Sequence, residues 1–133
     1  MADHAAAAER ATVIDRVAAA DLDDYALLDS GAGRKLERIA GRRVIRPCSQ
    51  AIWAAADPTA WHAVDSECRR KRSGGGSWVH HAPLSPLHFS WPGVAGAGFT
   101  CELRLTEFGH CGVFVEQEPF WRHLQTHVRP GAR

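Results

Sequence analysis

Apolar and polar positions change over quickly along most of this chain, and Gly or Pro breaks the pattern at short intervals. YALLDSG (25–31), RKLERIAG (34–41) and RRVIRP (42–47) each hold a short apolar run closed by a turn former, which predicts consecutive strands joined by tight turns. In the first of these turns, Asp29-Ser30-Gly31-Ala32-Gly33, glycine supplies positive φ at little steric cost. The clearest half-buried strand comes later, in FTCELRLTEF (99–108), where Phe99, Cys101, Leu103 and Leu105 fall on one side and polar residues on the other. SWVHHAP (77–83) and LHFSWP (87–92) are short, aromatic and closed by proline, and they also predict strands. CGVFVEQ (111–117) predicts another strand or an extended segment.

Helical spacing occurs in three places. Residues 5–20 are Ala-rich with Val13, Ile14 and Val17 on a common face, giving an amphipathic helix or, if it frays, a flexible segment. In residues 50–72, Trp53 and Trp61 flank a break at Asp57-Pro58; the rest has helical character, with a short middle helix starting near Pro58 and capped by Asp57 or Thr59. Pro119 opens a final helix, PFWRHLQTHV, ended by Arg129-Pro130-Gly131. Ser73-Gly74-Gly75-Gly76-Ser77 is read as a long loop between two structured halves. The fold class is therefore α+β, a small and mostly antiparallel β domain with an N-terminal, a short middle and a C-terminal helix. It divides into an Ala-rich leader (1–23), a β-rich domain (24–128) and a tail (129–133).

A length of 133 residues supports one core, and a formal charge of +1 gives no global case for nucleic acid or membrane. No apolar run is long enough to span a bilayer, and Asp3, Glu9 and Asp15 do not suit a targeting leader, so a cytoplasmic protein without a membrane partner is expected. Cys48, Cys68, Cys101 and Cys111 form no CxxC pair and read as reduced thiols. His123 and His127 share a helix face, but no accompanying acid or cysteine pattern completes a zinc set, and no metal is expected.

GAGRK lacks the spacing and the hydroxyl of a phosphate loop, and no GxGxxG is present, so a self-contained nucleotide site is not expected. His110 and Cys111, being neighbours on an extended segment, point to opposite faces and do not form a nucleophile–base pair. No catalytic residue is assigned. Basic residues gather as Arg34, Lys35, Arg38, Arg42, Arg43 and Arg46, then as Arg69, Arg70, Lys71 and Arg72, with Trp53, Trp61, Trp78 and Trp91 as candidate stacking platforms. That combination is a candidate RNA-facing surface; solvated strand faces and core tryptophans are the competing reading.

Two stretches, DYALLDSGAGRKLERIAGRRVIRPCSQAIW and FTCELRLTEFGHCGVFVEQEPFW, resemble the N-terminal region of a bacterial family of class I S-adenosylmethionine (SAM)-dependent methyltransferases. These are related to enzymes that methylate cytosine carbon 5 in large-subunit ribosomal RNA. The resemblance spans Asp24 to Trp121 and includes the segment around Gly76 to Trp78 and the pair Trp91 and Phe99. It implies a β-rich leader in front of a Rossmann-like core that carries the cofactor's glycine turn, and the sequence ends where that core's first strand should begin. It also implies that His110, Gly112, Phe114, Glu116 and Gln117 edge the cofactor pocket, where Gly112 permits close backbone approach, Phe114 offers an apolar face, and Glu116 and Gln117 can hydrogen-bond. Three positions depart from the family pattern: Cys111 replaces threonine, Val115 replaces proline, and Cys48 replaces an acidic residue.

The resulting expectation is an N-terminal fragment or subunit of a methyltransferase acting on ribosomal RNA, unable to bind SAM or transfer methyl groups by itself and partnered by RNA and a separate catalytic chain. The alternative is a stand-alone RNA-binding or interaction module without catalysis.

Overall fold

The computed structural model describes residues 22–129 and 131, so the expected N-terminal helix lies outside the described residues. Among the described residues there are seven strands: β1 (Tyr25–Gly31), β2 (Arg34–Ile39), β3 (Arg42–Pro47), β4 (Ser66–Arg70), β5 (Gly76–His80), β6 (Leu87–Trp91) and β7 (Phe99–Leu103). One α-helix, α1 (Glu118–His127), follows them. β1 to β5 form one sheet in sequence order, antiparallel except for β3 and β4, and β6 pairs with β7 in a separate hairpin. The fold is α+β with mostly antiparallel sheets.

The β1–β2–β3 meander follows from its turns. Ala32 and Gly33, then Ala40 and Gly41, are the two-residue connections, and all four have positive φ, the requirement of a type I′ hairpin turn. A bulge at Leu28 shifts the register of β1 between Leu27 and Asp29. Gly31 closes β1 where a Cβ would overlap the backbone of Ala54 and Ala55, so only glycine lets the 48–65 connection lie this close.

Three sequence expectations need correction. The middle helix is reduced to a single 3-10 turn, Pro58–His62; Asp57 caps it as expected, accepting from the Thr59 and Ala60 amides. Ser66–Arg70 is a strand, not the helix expected: Ser66 and Cys68 alternate inward, and the segment pairs in parallel with β3. The glycine stretch is accordingly a hairpin turn and not a long loop dividing two halves. The Lys71 amide donates to the Gly75 carbonyl at 3.1 Å, and Gly76 already belongs to β5.

The main core joins the two sheets. Ile39 from β2 is buried with Leu87, Phe89 and Trp91 of β6, Leu103 of β7, and Cys111 and Val113 beyond it. At its margin the rings of Trp91, Phe99 and Trp121 meet in tilted and edge-on contacts with centroids 5.3 to 5.6 Å apart, fixing α1 against the β6–β7 hairpin. Glu118, buried at the start of α1, accepts from the Trp91 indole at 3.2 Å and from Arg122 at 2.6 Å.

Candidate functional site

The segment after β7 is the part that the resemblance nominates, and it is held by an ion pair inside the protein. Glu37 of β2 is fully buried, yet its carboxylate accepts from Tyr25 Oη at 2.9 Å and from Arg46 Nε and Nη2 at 2.6 and 2.9 Å, with Lys35 Nζ 3.0 Å away. Burial alone would raise the Glu37 pKa, but the Arg46 guanidinium and the Lys35 ammonium outweigh it and hold the carboxyl below its ordinary value. Burial, reinforced by the Glu37 charge, pushes the Tyr25 hydroxyl well above its ordinary range. Arg46 then reaches out of the sheet and donates through Nη1 to the Gly109 carbonyl at 3.1 Å. The sequence singled out Arg46 only as one of a basic cluster and did not single out Glu37 or Tyr25; no local signal marks a charge on a strand as buried.

Gly109 sits in a tight turn. The Thr106 amide donates to His110 O at 2.9 Å, the Gly109 amide donates to Thr106 O at 2.9 Å, and the Trp78 indole of β5 donates to Thr106 O at 2.7 Å. Beyond the turn the chain is extended, though not a ladder strand. Its side chains alternate: Gly109, Cys111 and Val113 are buried, whereas His110, Gly112, Phe114 and Glu116 are exposed. Four of the five nominated pocket-edge residues thus lie along one outward side, with the His110 and Phe114 rings 5.8 Å apart. Gln117, also exposed, closes the 3-10 turn Val115–Gln117 that leads into α1. Gly112 has a φ of 97°, which favours glycine, and the space beside its Cα is open.

The basic residues do not form one surface. By cross-strand pairing, Lys35, Arg42 and Arg46 share one face of the sheet, while Arg34, Arg38 and Arg43 share the other. Most are occupied. Arg34 lies 3.4 Å from Glu67 and 5.2 Å from the centre of the Trp61 ring; Arg38 donates to Asp23 O; Arg42 pairs with Asp65; and Arg43 donates to Ala60 O. Arg69 pairs with Glu67 at 2.9 Å. Arg70, Lys71 and Arg72 remain, exposed and with no ion pair among the described residues. They border a hollow of about 370 Å³ that is also lined by Gly74, Gly75, Gly76, Glu107 and Phe108.

The candidate tryptophan platforms are divided in the same way. Trp91 is buried in the core, and Trp61 donates to Asp29, whose carboxylate also accepts from the Ser30, Ala56 and Asp57 amides. Those donors, the Trp61 indole first, pull the Asp29 pKa down to about 2. Trp53 donates to Ser30 O, and Trp78 is committed to Thr106. The most exposed aromatic side chains are instead Phe108, Phe120, Trp53 and Phe114, at 68, 55, 55 and 53%.

Cys68 and Cys111 are buried, and burial raises the Cys68 thiol above its ordinary pKa, so it stays protonated at neutral pH. Cys111 packs inward while His110 faces out. The His123 and His127 rings stack with centroids 4.1 Å apart, and no group of three metal-ligating side chains occurs among the described residues. No helix among the described residues is long and apolar enough to cross a membrane.

No family model and no curated protein matches this chain. Among solved structures, the chain is similar to a SAM-dependent methyltransferase from Agrobacterium tumefaciens, with 33% sequence identity over 83% of this chain and a TM-score of 0.65. It spans about a third of that protein, 34% of its length. The likeness relates this chain to part of a SAM-dependent methyltransferase in both fold and sequence.

Proposed function

We propose that this chain is the substrate-presenting part of a SAM-dependent methyltransferase acting on RNA, ribosomal RNA in the first instance, and that it works in the cytoplasm with a catalytic core supplied by further polypeptide. The likeness to one third of a SAM-dependent methyltransferase carries the proposal. The row of outward residues from His110 to Glu116 supports it, because a segment pinned from behind by Arg46 and Trp78 presents a fixed edge to whatever packs on it.

SAM, when bound by the core, supplies an electrophilic methyl group on a sulfonium. This chain's contribution is positional. Glu116 and Gln117 offer hydrogen-bonding groups, Phe114 offers an apolar face, and the open side of Gly112 admits close approach of the ligand to the backbone. The cofactor's glycine turn and the base-handling groups belong to the core, so the chain alone binds SAM no more tightly than millimolar.

Isothermal titration tests this directly. Titration of SAM into the chain alone should give no binding tighter than millimolar. Titration into the Agrobacterium methyltransferase whose matching third is replaced by this chain should give micromolar binding. Micromolar binding by the chain alone would overturn the proposal. The second reading, a stand-alone RNA-binding module, is favoured by the exposed cations of the β4–β5 turn, which make no ion pair among the described residues, and predicts steep, salt-dependent RNA affinity with no dependence on a core.

A further inference from the structure

Phe108 is held in water by design of its surroundings. Thr106 is fixed from β5 by the Trp78 indole and Gly109 from β3 by the Arg46 guanidinium, so the backbone that carries Phe108 is held on both sides, with the ring outside the core. Leaving a phenylalanine 68% exposed forgoes burial free energy that the rest of the core collects. An exposed ring on a turn held at both ends is a surface on which a planar ligand can stack.

The neighbours of that ring are cationic. Gly76 lies where a Cβ would crowd the Glu107 carbonyl at 3.1 Å, and Gly75, with a φ of 68°, stands at ordinary contact distance from it, 3.8 Å. The glycines therefore let the β4–β5 turn approach the 106–110 turn, and the hollow between them brings Phe108 together with Arg70, Lys71 and Arg72. Glu107 is the one carboxylate lining the hollow, leaving an excess of two positive charges. A phosphate chain meets the cations, and a base released from its stack meets the ring.

We infer that this hollow binds a single-stranded nucleic acid segment, with its phosphodiesters on Arg70, Lys71 and Arg72 and an unpaired base on Phe108. This inference rests on the reading that the substrate is RNA, and it adds which strand state is recognised and where. His110 lies at the other side of the same turn, so a strand held here runs toward the outward edge proposed to face the cofactor. A duplex has its bases stacked and offers phosphates without a free ring face.

The test uses the full 133-residue chain and a fluorescein-labelled single-stranded RNA of about 12 nucleotides, with anisotropy followed over a salt series. The same sequence as a duplex, and inorganic polyphosphate as competitor, separate base stacking from charge. Phe108→Ala should weaken single-strand binding by about 5- to 150-fold, the range for loss of one base–aromatic stack, and leave duplex binding unchanged. Phe108→Trp should preserve single-strand binding. The triple variant Arg70→Ala, Lys71→Ala, Arg72→Ala should flatten the slope of log affinity against log salt by about 2. Arg104→Ala, an exposed change on the residue after β7, should alter neither. A triple variant with the wild-type slope, a Phe108→Ala chain that binds the single strand as before, or equal affinity for duplex and single strand would overturn the inference. Failure here with micromolar SAM binding by the chimeric enzyme would remove this site and leave the methyltransferase reading standing.

Discussion

Two arginine-rich stretches of this chain meet opposite fates. In β2 and β3 the cations are spent on the fold: Arg46 and Lys35 neutralise the buried Glu37, Arg42 pairs with Asp65, Arg34 with Glu67, and Arg38 and Arg43 donate to main-chain carbonyls. At the β4–β5 turn, Arg70, Lys71 and Arg72 make no ion pair among the described residues and face a hollow whose one carboxylate is Glu107. A run of like charges in sequence therefore says little by itself. What decides is whether the fold sets an acid beside the cation, as Glu37 lies diagonally across from Arg46, whereas Arg72 makes no ion pair among the described residues. The first group supports a surface; the second is available to a ligand.

Mutations should separate the two groups. The largest effect is expected at Glu37: Glu37→Ala strands the Arg46 guanidinium in the interior and should cost about 3 to 5 kcal/mol in urea unfolding. The double change Glu37→Leu with Arg46→Met should recover most of that loss, because it removes both charges together. Gly31→Ala comes next, at about 1 to 3 kcal/mol, since the added methyl collides with the backbone of Ala54 and Ala55. A smaller effect concerns acid. The Asp29 pKa is depressed from 3.8 to about 2, so its contribution is complete above the unfolded value and is lost as pH falls from about 3.8 through about 2. Asp29→Asn should flatten the stability profile in that window, as followed by tryptophan fluorescence. The smallest effect belongs to the triple alanine variant of Arg70, Lys71 and Arg72, whose unfolding free energy should stay within about 0.5 kcal/mol of wild type. A large loss there would mean that the turn cations also build the fold.

Much of the fold was legible because its signals are local. The bounds of β1, β2 and β3 follow from Ala32-Gly33 and Ala40-Gly41, and α1 from Pro119. β4 was missed because its five residues are mostly polar and its parallel partner lies across the 48–65 connection. Two-residue alternation at Ser66 and Cys68 was too short to outweigh the helical texture around it. The buried Tyr25–Glu37–Arg46 group was illegible for a different reason: alternation assigns polar residues to water, and this face is covered by segments from far along the chain, the β6–β7 hairpin packed on Ile39 and the turn at Gly109. The outward row at 110–116 was nominated through resemblance, and the geometry gives it a physical form, a period-two edge with Cys111 and Val113 buried behind it.

The role proposed for this chain is to present RNA to a methyltransferase core. Its most direct test is transfer of tritiated methyl from SAM to ribosomal RNA by the Agrobacterium methyltransferase carrying this chain in place of its matching third, with the isolated chain as control. Labelled RNA is expected from the chimera and none from the chain alone. Label transferred by the isolated chain, or a chimera that binds both SAM and RNA yet labels none, would contradict it.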